Sequence, residues 1–198
     1  MRCLYYRSFG YPWFRLNIMK RVWFLTGEPG SGKTKIISKV SDLVRSKGYT
    51  VGGIISKEKR DKGIRTGFIL CDLSSGYTDI IASTTGKSGP KMGRYRINLN
   101  ALSNLGVQAL LHAAEHSDLI VCDEIGPIEL FSPEFKRAIK IIMSSGKPII
   151  GVIHRLIPDP IVINIKDSPD VEIIDISTDP QDDIIERLAD YVLSNLER

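Results

Sequence analysis

The segment Gly27-Glu28-Pro29-Gly30-Ser31-Gly32-Lys33-Thr34 stands between the apolar run Arg21-Val22-Trp23-Phe24-Leu25 and a helical pattern in which Ile36, Ile37, Val40, Leu43 and Val44 share one face, closed by Gly48. A strand that turns through glycines straight into a helix leaves few architectures open, because the strand needs a sheet and the helix must pack on it. Glycines at 27, 30 and 32 remove side chains that would crowd a bound anion, so the backbone can curl and aim its N–H groups inward. The helix that follows adds the partial positive charge of its N-terminus. Residues Gly27, Glu28, Pro29, Gly30, Ser31, Gly32, Lys33 and Thr34 are therefore the expected nucleotide-binding loop, a Walker A motif. In it Lys33 reaches the β- and γ-phosphates, and the Thr34 hydroxyl completes a Mg²⁺ shell.

Strand-like and helix-like segments alternate along the rest of the chain. Val51–Ile55 and Thr66–Leu73 read as strands, separated by the charged, glycine-broken stretch Ser56–Arg65. Ser83–Arg96 reads as a loop, too polar and too rich in glycine to pack as an element. Leu102, Leu105, Ala109 and Leu110 mark a helix ending near Ser117, and Ser132-Pro133-Glu134 opens another with a capping serine, proline at the first helical position and an acid in the first turn. Pro148–Ile153 and Glu172–Ile176 are two further strands, and a last helix starts at Asp179-Pro180 with Ile184, Ile185, Leu188 and Val192 inward. Such a series predicts a three-layer α/β domain, a mostly parallel central sheet with helices on both faces. Its ligands bind beyond the carboxyl ends of the strands.

Leu119-Ile120-Val121-Cys122 is apolar without alternation, as in a strand buried on both faces, and it runs directly into Asp123-Glu124-Ile125-Gly126. A phosphate loop alone leaves a metal half-coordinated, so an acid is needed at this strand end, where Asp123 completes the metal shell begun by Thr34. Glu124, pointing differently, is placed to polarise a water aimed at the γ-phosphate, with Lys33 as its catalytic partner. Leu119 to Gly126 is thus the expected second nucleotide segment, a Walker B motif; the plainer alternative is a strand ending in two solvated acids.

Together with Glu58-Lys59-Arg60, Gly63-Ile64-Arg65-Thr66-Gly67-Phe68, Gly93-Arg94-Tyr95 and Asp123-Glu124-Ile125-Gly126-Pro127-Ile128-Glu129-Leu130, the loop at 27–34 resembles the thermophilic nucleoside-triphosphatase family of P-loop NTPases, to which the vertebrate cancer-related nucleoside-triphosphatase also belongs. The resemblance spans nearly everything from Lys20 to the last helix. It implies a monomeric RecA-like α/β domain that hydrolyses ATP, GTP and other nucleoside triphosphates with Mg²⁺ to the diphosphate and phosphate. Ser177-Thr178-Asp179-Pro180 stands where relatives often carry an Asn-Arg pair, so the base contacts are not given by the resemblance.

Weaker candidates come from charge. Arg60, Arg65 and Arg94 are expected phosphate contacts, or else solvated loop charges. His154, at the end of a strand, is either a γ-phosphate sensor or a structural histidine. His112 and His116 have helical i, i+4 spacing but no third metal ligand nearby. The Lys87, Lys91, Arg94 and Arg96 stretch is a basic face that would also suit a lid. A nucleotide or nucleoside kinase, in which Glu124 activates an acceptor hydroxyl, and a nucleotide-driven regulator of RNA or protein partners remain as alternatives to hydrolysis.

Composition sets the outer limits. At 198 residues with 42% hydrophobic content the chain is one ordinary globular domain. Three of its four net positive charges are Arg2, Arg7 and Arg15, which leaves the remainder near neutral and indicates no nucleic-acid footprint. Three separated cysteines read as free thiols of a reducing cytoplasm. No stretch approaches the roughly 18 continuous apolar residues of a membrane span. Residues 1–18, aromatic-rich and acid-free, read as an N-terminal extension, either non-native or a loosely held arm before a functional start at Met19; a transit peptide is the alternative. Residues 19–198 are the expected single domain.

Overall fold

The computed structural model describes residues 20–197, so the extension read at residues 1–18 and the start at Met19 lie outside the described residues. One nine-stranded sheet carries the fold, in the order β5-β6-β4-β3-β2-β7-β8-β1-β9. Its parallel half is made of β1 (Val22–Thr26), the first part of β2 (Val51–Asp61), whose outer end belongs to the antiparallel arm, and β7 (Leu119–Ile125), β8 (Ile149–Ile153) and β9 (Val171–Asp175). β3 (Ile64–Asp72), β4 (Thr78–Ser83), β5 (Lys91–Met92) and β6 (Tyr95–Ile97) continue it as an antiparallel arm.

Alternation within each central strand feeds two cores. Trp23 and Leu25 pack with the inner faces of α1 (Lys33–Ser46) and α6 (Gln181–Leu196), through Ile36, Ile37, Val40, Ile184 and Leu188. Val22 and Phe24 point to the other face, which is covered by Leu110 of α3 (Gln108–His116), Phe135 and Ile139 of α4 (Pro133–Ser144) and Val162 of α5 (Pro160–Lys166). The result is the expected three-layer α/β sandwich. Ser132 caps α4 by accepting from the Phe135 N–H at 3.1 Å, with Pro133 at the first helical position.

Several readings of the sequence need correction. Ser56–Arg65 is no break: β2 runs to Asp61, turns at Lys62-Gly63 and returns as β3 from Ile64, so two charged strand ends make a hairpin. The segment 83–96 is not all loop, since Lys91 and Arg96 pair across β5 and β6 and Tyr95 is buried. β4 and α5 are elements that the residue pattern does not predict. The helix read from Leu102 begins earlier, in α2 (Leu99–Ala101) capped by Asn98, and passes through a π turn at Leu102–Val107 into α3. The sheet is parallel from β2 through β7, β8 and β1 to the edge strand β9, and antiparallel in the arm, whose residues are mixed polar and apolar.

Candidate active site

The sharp turn after β1 brings Gly27, Gly30 and Gly32 to φ of +148°, +77° and +97°. Gly32 has a second constraint, because a Cβ there would stand 2.6 Å from the Gln181 amide nitrogen. That amide donates to the Ser31 carbonyl at 2.8 Å, fastening the start of α6 to the loop. Lys33 folds back over the turn, donating to the Gly27 and Glu28 carbonyls at 2.9 and 2.7 Å. Ser31 Oγ donates to the Glu28 carbonyl at 2.6 Å.

This loop forms one wall of a cleft of about 700 Å³. The cleft also takes in Asp123 and Glu124 from β7, Ser56, Lys57 and Glu58 from β2, Arg65 and Phe68 from β3, and His154, Arg155 and Leu156 beyond β8. Gly27, Glu28, Pro29, Gly30, Gly32, Lys33, Thr34, Asp123, Glu124, Arg65 and His154 are therefore brought together. Leu119, Ile120, Val121, Cys122 and Ile125 lie under the cleft as fully buried strand residues. Gly126 also stands outside its lining, but a Cβ there would collide with the Glu124 carboxylate, so it keeps that side chain's space free. Arg60 and Arg94 do not line the cleft: Arg60 is held by Glu58 and the Gly63 carbonyl, and Arg94 by Tyr95 and the Arg65 carbonyl. Both sit on or between strands of the arm, not in free loops. The rings of His112 and His116 meet at a tilt on α3 with centroids 4.5 Å apart, and no group of three or more residues that could hold a metal ion exists among the described residues.

Asp123 is only 2% exposed, and its Oδ2 has no hydrogen-bond partner among the described residues. Burial pushes its carboxyl up to about 7, against a bond from Thr34 and the charge of Lys33, while Glu124 adds to the rise. A buried carboxylate with one oxygen unpartnered, beside a threonine hydroxyl, is a donor set that a hard divalent cation fits, and such an ion takes its remaining ligands from phosphate and water rather than from a protein cage. Burial likewise raises Glu124, with Lys33 and His154 drawing it back. His154 Nδ1 accepts from the Leu156 N–H at 3.2 Å, which leaves Nε2 to carry the proton in the neutral ring. Glu129, outside the lining of the cleft, is 3% exposed and pushed to about 8, first by burial and then by Glu124. Lys57, Ser56, Arg155 and Gln181 were missed as site residues. Each reaches the site through hairpin geometry or a loop far along the chain, which residue spacing does not reveal.

Fold and cleft together define a P-loop nucleoside-triphosphatase class of protein. A family described as NTPase matches residues 22–189. The chain is 36% identical over 168 residues to the nucleoside-triphosphatase THEP1 of Methanothermobacter thermautotrophicus, covering 85% of this chain and 94% of that protein. Among solved structures, THEP1 from Aquifex aeolicus superposes with a TM-score of 0.74 at 30% identity, covering 89% of this chain and 99% of that one. A human cancer-related nucleoside triphosphatase gives a TM-score of 0.75 at 30% identity over 88% and 98% of the two chains. The chain belongs to the NTPase family.

Proposed function

We propose that this chain hydrolyses nucleoside 5′-triphosphates, ATP and GTP among them, to the diphosphate and phosphate, with Mg²⁺ as the working divalent ion. The observation that carries the reading is the convergence of the glycine loop, a buried Asp123 with its Oδ2 unpartnered, and the adjacent Glu124 in one cleft. Loop N–H groups bind the phosphates and the N-terminus of α1 adds its dipole. Lys33 exchanges the Gly27 and Glu28 carbonyls for phosphate oxygens. Thr34 and Asp123 would hold the metal, which would supply charge neutralisation to the phosphates. Glu124 takes a proton from the attacking water, its basicity raised by burial. His154, at the end of β8, senses the γ-phosphate. Among the described residues no helix is long and apolar enough to cross a membrane. The free thiols Cys71 and Cys122 accord with work in the cytoplasm, and the chain is expected to act as a monomer.

Phosphate release from ATP, GTP, CTP and UTP with Mg²⁺ tests this, repeated with nucleosides and nucleoside monophosphates as acceptors. Release without acceptor, similar across bases within about tenfold, is expected of a site that grips phosphates more than bases. Release that is negligible until one acceptor is added, with label appearing on that acceptor, would establish a kinase instead.

A further inference from the structure

Beside the cleft, the antiparallel arm gathers three arginines around one carboxylate and one phenol. Arg65 Nε donates to the Tyr95 hydroxyl at 3.0 Å and Arg65 Nη1 to Glu58 Oε1 at 2.7 Å. Its guanidinium lies 5.1 Å from the centroid of the Phe68 ring, and Phe68 meets Tyr95 edge-on at 5.4 Å. Arg94 donates to the same Tyr95 hydroxyl at 3.1 Å and to the Arg65 carbonyl at 2.6 Å. Arg60 closes the far side by donating to Glu58 Oε2 at 2.9 Å. Tyr95 is 6% exposed, so this hydroxyl has little water to turn to. Of the three arginines only Arg65 lines the cleft, and its Nη2 has no hydrogen-bond partner among the described residues.

Geometry thus separates three arginines that look alike in the sequence. Two are braces and one is braced. A guanidinium fixed through Nε, Nη1 and its flat face has already lost the rotamer freedom that an exposed arginine would lose on meeting an anion. It enters the cleft from β3, whereas Lys33 enters beyond β1, with β2, β7 and β8 between them in the sheet. Lys33 sits in the phosphate cradle, and Arg65 lines the same cleft from the far side of the sheet.

We propose that Arg65 is the cation that meets the γ-phosphoryl group in the transition state, and that Tyr95 is its positioning residue. The inference rests on the hydrolytic reading above. In the step, the water oxygen bonds to the γ-phosphorus, and the bond from that phosphorus to the β,γ-bridging oxygen breaks with its electron pair staying on the diphosphate. One water proton passes to Glu124 and then to phosphate or solvent. Arg65 keeps its protons throughout and offers Nη2 to the equatorial oxygens, whose charge rises as the bonds exchange. Tyr95 touches no reacting atom; it sets the guanidinium plane, while Arg94 fixes Tyr95 and the Arg65 backbone together.

The test uses the full chain and the variants Arg65→Ala, Arg65→Lys, Tyr95→Phe and Arg60→Ala, each checked for an unchanged melting temperature. For each, kcat and KM for ATP are measured, with affinities for β,γ-imido-ATP and for ADP with aluminium fluoride, which mimics the planar transferring group. Arg65→Ala is expected to lower kcat by roughly 10²- to 10³-fold, as for loss of one preorganised transition-state donor. Arg65→Lys should recover little, because an ammonium cannot use the Tyr95 and Glu58 contacts together. Tyr95→Phe keeps the ring against Phe68 and loses only the hydroxyl; a drop of about tenfold in kcat is expected, matched in aluminium-fluoride affinity, with imido-ATP affinity within about twofold. Arg60→Ala should stay within about threefold of wild type. Wild-type turnover in Tyr95→Phe and Arg65→Lys, or equal losses for both nucleotide mimics, would overturn the proposal. So would an Arg60→Ala defect as large as that of Arg65→Ala. A wild-type chain that binds both mimics but releases no phosphate would overturn the hydrolytic reading itself.

Discussion

The two halves of the sheet do different work with different chemistry. In the parallel half, β1, β7 and β8 are buried almost throughout, and their carboxyl ends deliver a glycine loop, Asp123, Glu124 and His154 to one cleft. Towards the antiparallel arm, β2 and β3 leave the core as a charged hairpin: Glu58, Arg60, Arg65 and Arg94 are braced by hydrogen bonds to one another and to Tyr95, whose ring packs in the core against Phe68. Precision in the first case comes from backbone embedded in a core, and in the second from a polar network at the surface. On the proposed reading, the core side carries the phosphate grip and the base Glu124, and the arm side adds a fixed cation for the transition-state charge.

Removing the core-side cation is the severest way to break this division. Lys33→Ala takes away the cation that closes on the loop, and both triphosphate binding and turnover should be lost. Glu124→Gln keeps shape and removes the base, so affinity should stay within a few fold while the rate drops by roughly 10²- to 10⁴-fold. Equilibrium binding of a fluorescent triphosphate beside a phosphate-release assay separates the two. Equal loss of binding in both would make Glu124 a structural or metal group, and a core that grips and cuts with the same residues.

Legibility in the sequence followed the same boundary. A strand buried on both faces must be apolar throughout, so β7 announces itself in Leu119–Cys122 and the acids that end its run stand out. The loop at 27–34 is equally visible, because only glycines permit its left-handed turns. The arm has one face in water and short strands, so its residues alternate weakly and the turn residues dominate; β4, β5 and β6 are accordingly hidden in the residue pattern. Which of Arg60, Arg65 and Arg94 faces the cleft depends on a pairing between Arg65 and Tyr95, 30 residues apart, that no local pattern encodes. The contact of Gln181 with Ser31 spans 150 residues and was hidden for the same reason.

A milder test lies beneath the acids on the core side. The folded-state pKa of Glu129 is raised from an ordinary 4.5 to about 8 by burial and by the neighbouring Glu124. A raised folded value means the native state holds a proton that the unfolded chain has released. Its contribution to stability is therefore fully present below about 4.5 and is lost as pH rises through about 8. Glu129→Gln stays neutral at every pH, so its melting temperature should match wild type near pH 5 and exceed it by a few degrees near pH 8.5. A wild-type melting temperature flat across that range would mean that Glu129 is ionised and compensated, and that the core tolerates three charged acids under the cleft.

The smallest expected effect concerns the tie between α6 and the phosphate loop. Gln181 opens α6, and its amide donates to the Ser31 carbonyl while crowding the space a Cβ on Gly32 would need. Neither contact reaches a reacting atom, so the side chain acts by holding the turn in shape before nucleotide arrives. Gln181→Ala removes one exposed neutral hydrogen bond, of the kind that contributes on the order of 1 kcal/mol or less. The loop then samples more conformations when empty, and binding must narrow them. KM for ATP should rise about two- to fivefold with kcat unchanged, since Lys33, Asp123 and Glu124 are the same once nucleotide is in place. A matching fall in kcat with constant KM would place Gln181 with the arm residues, among groups that act on the transition state, and would blur the division between grip and rate.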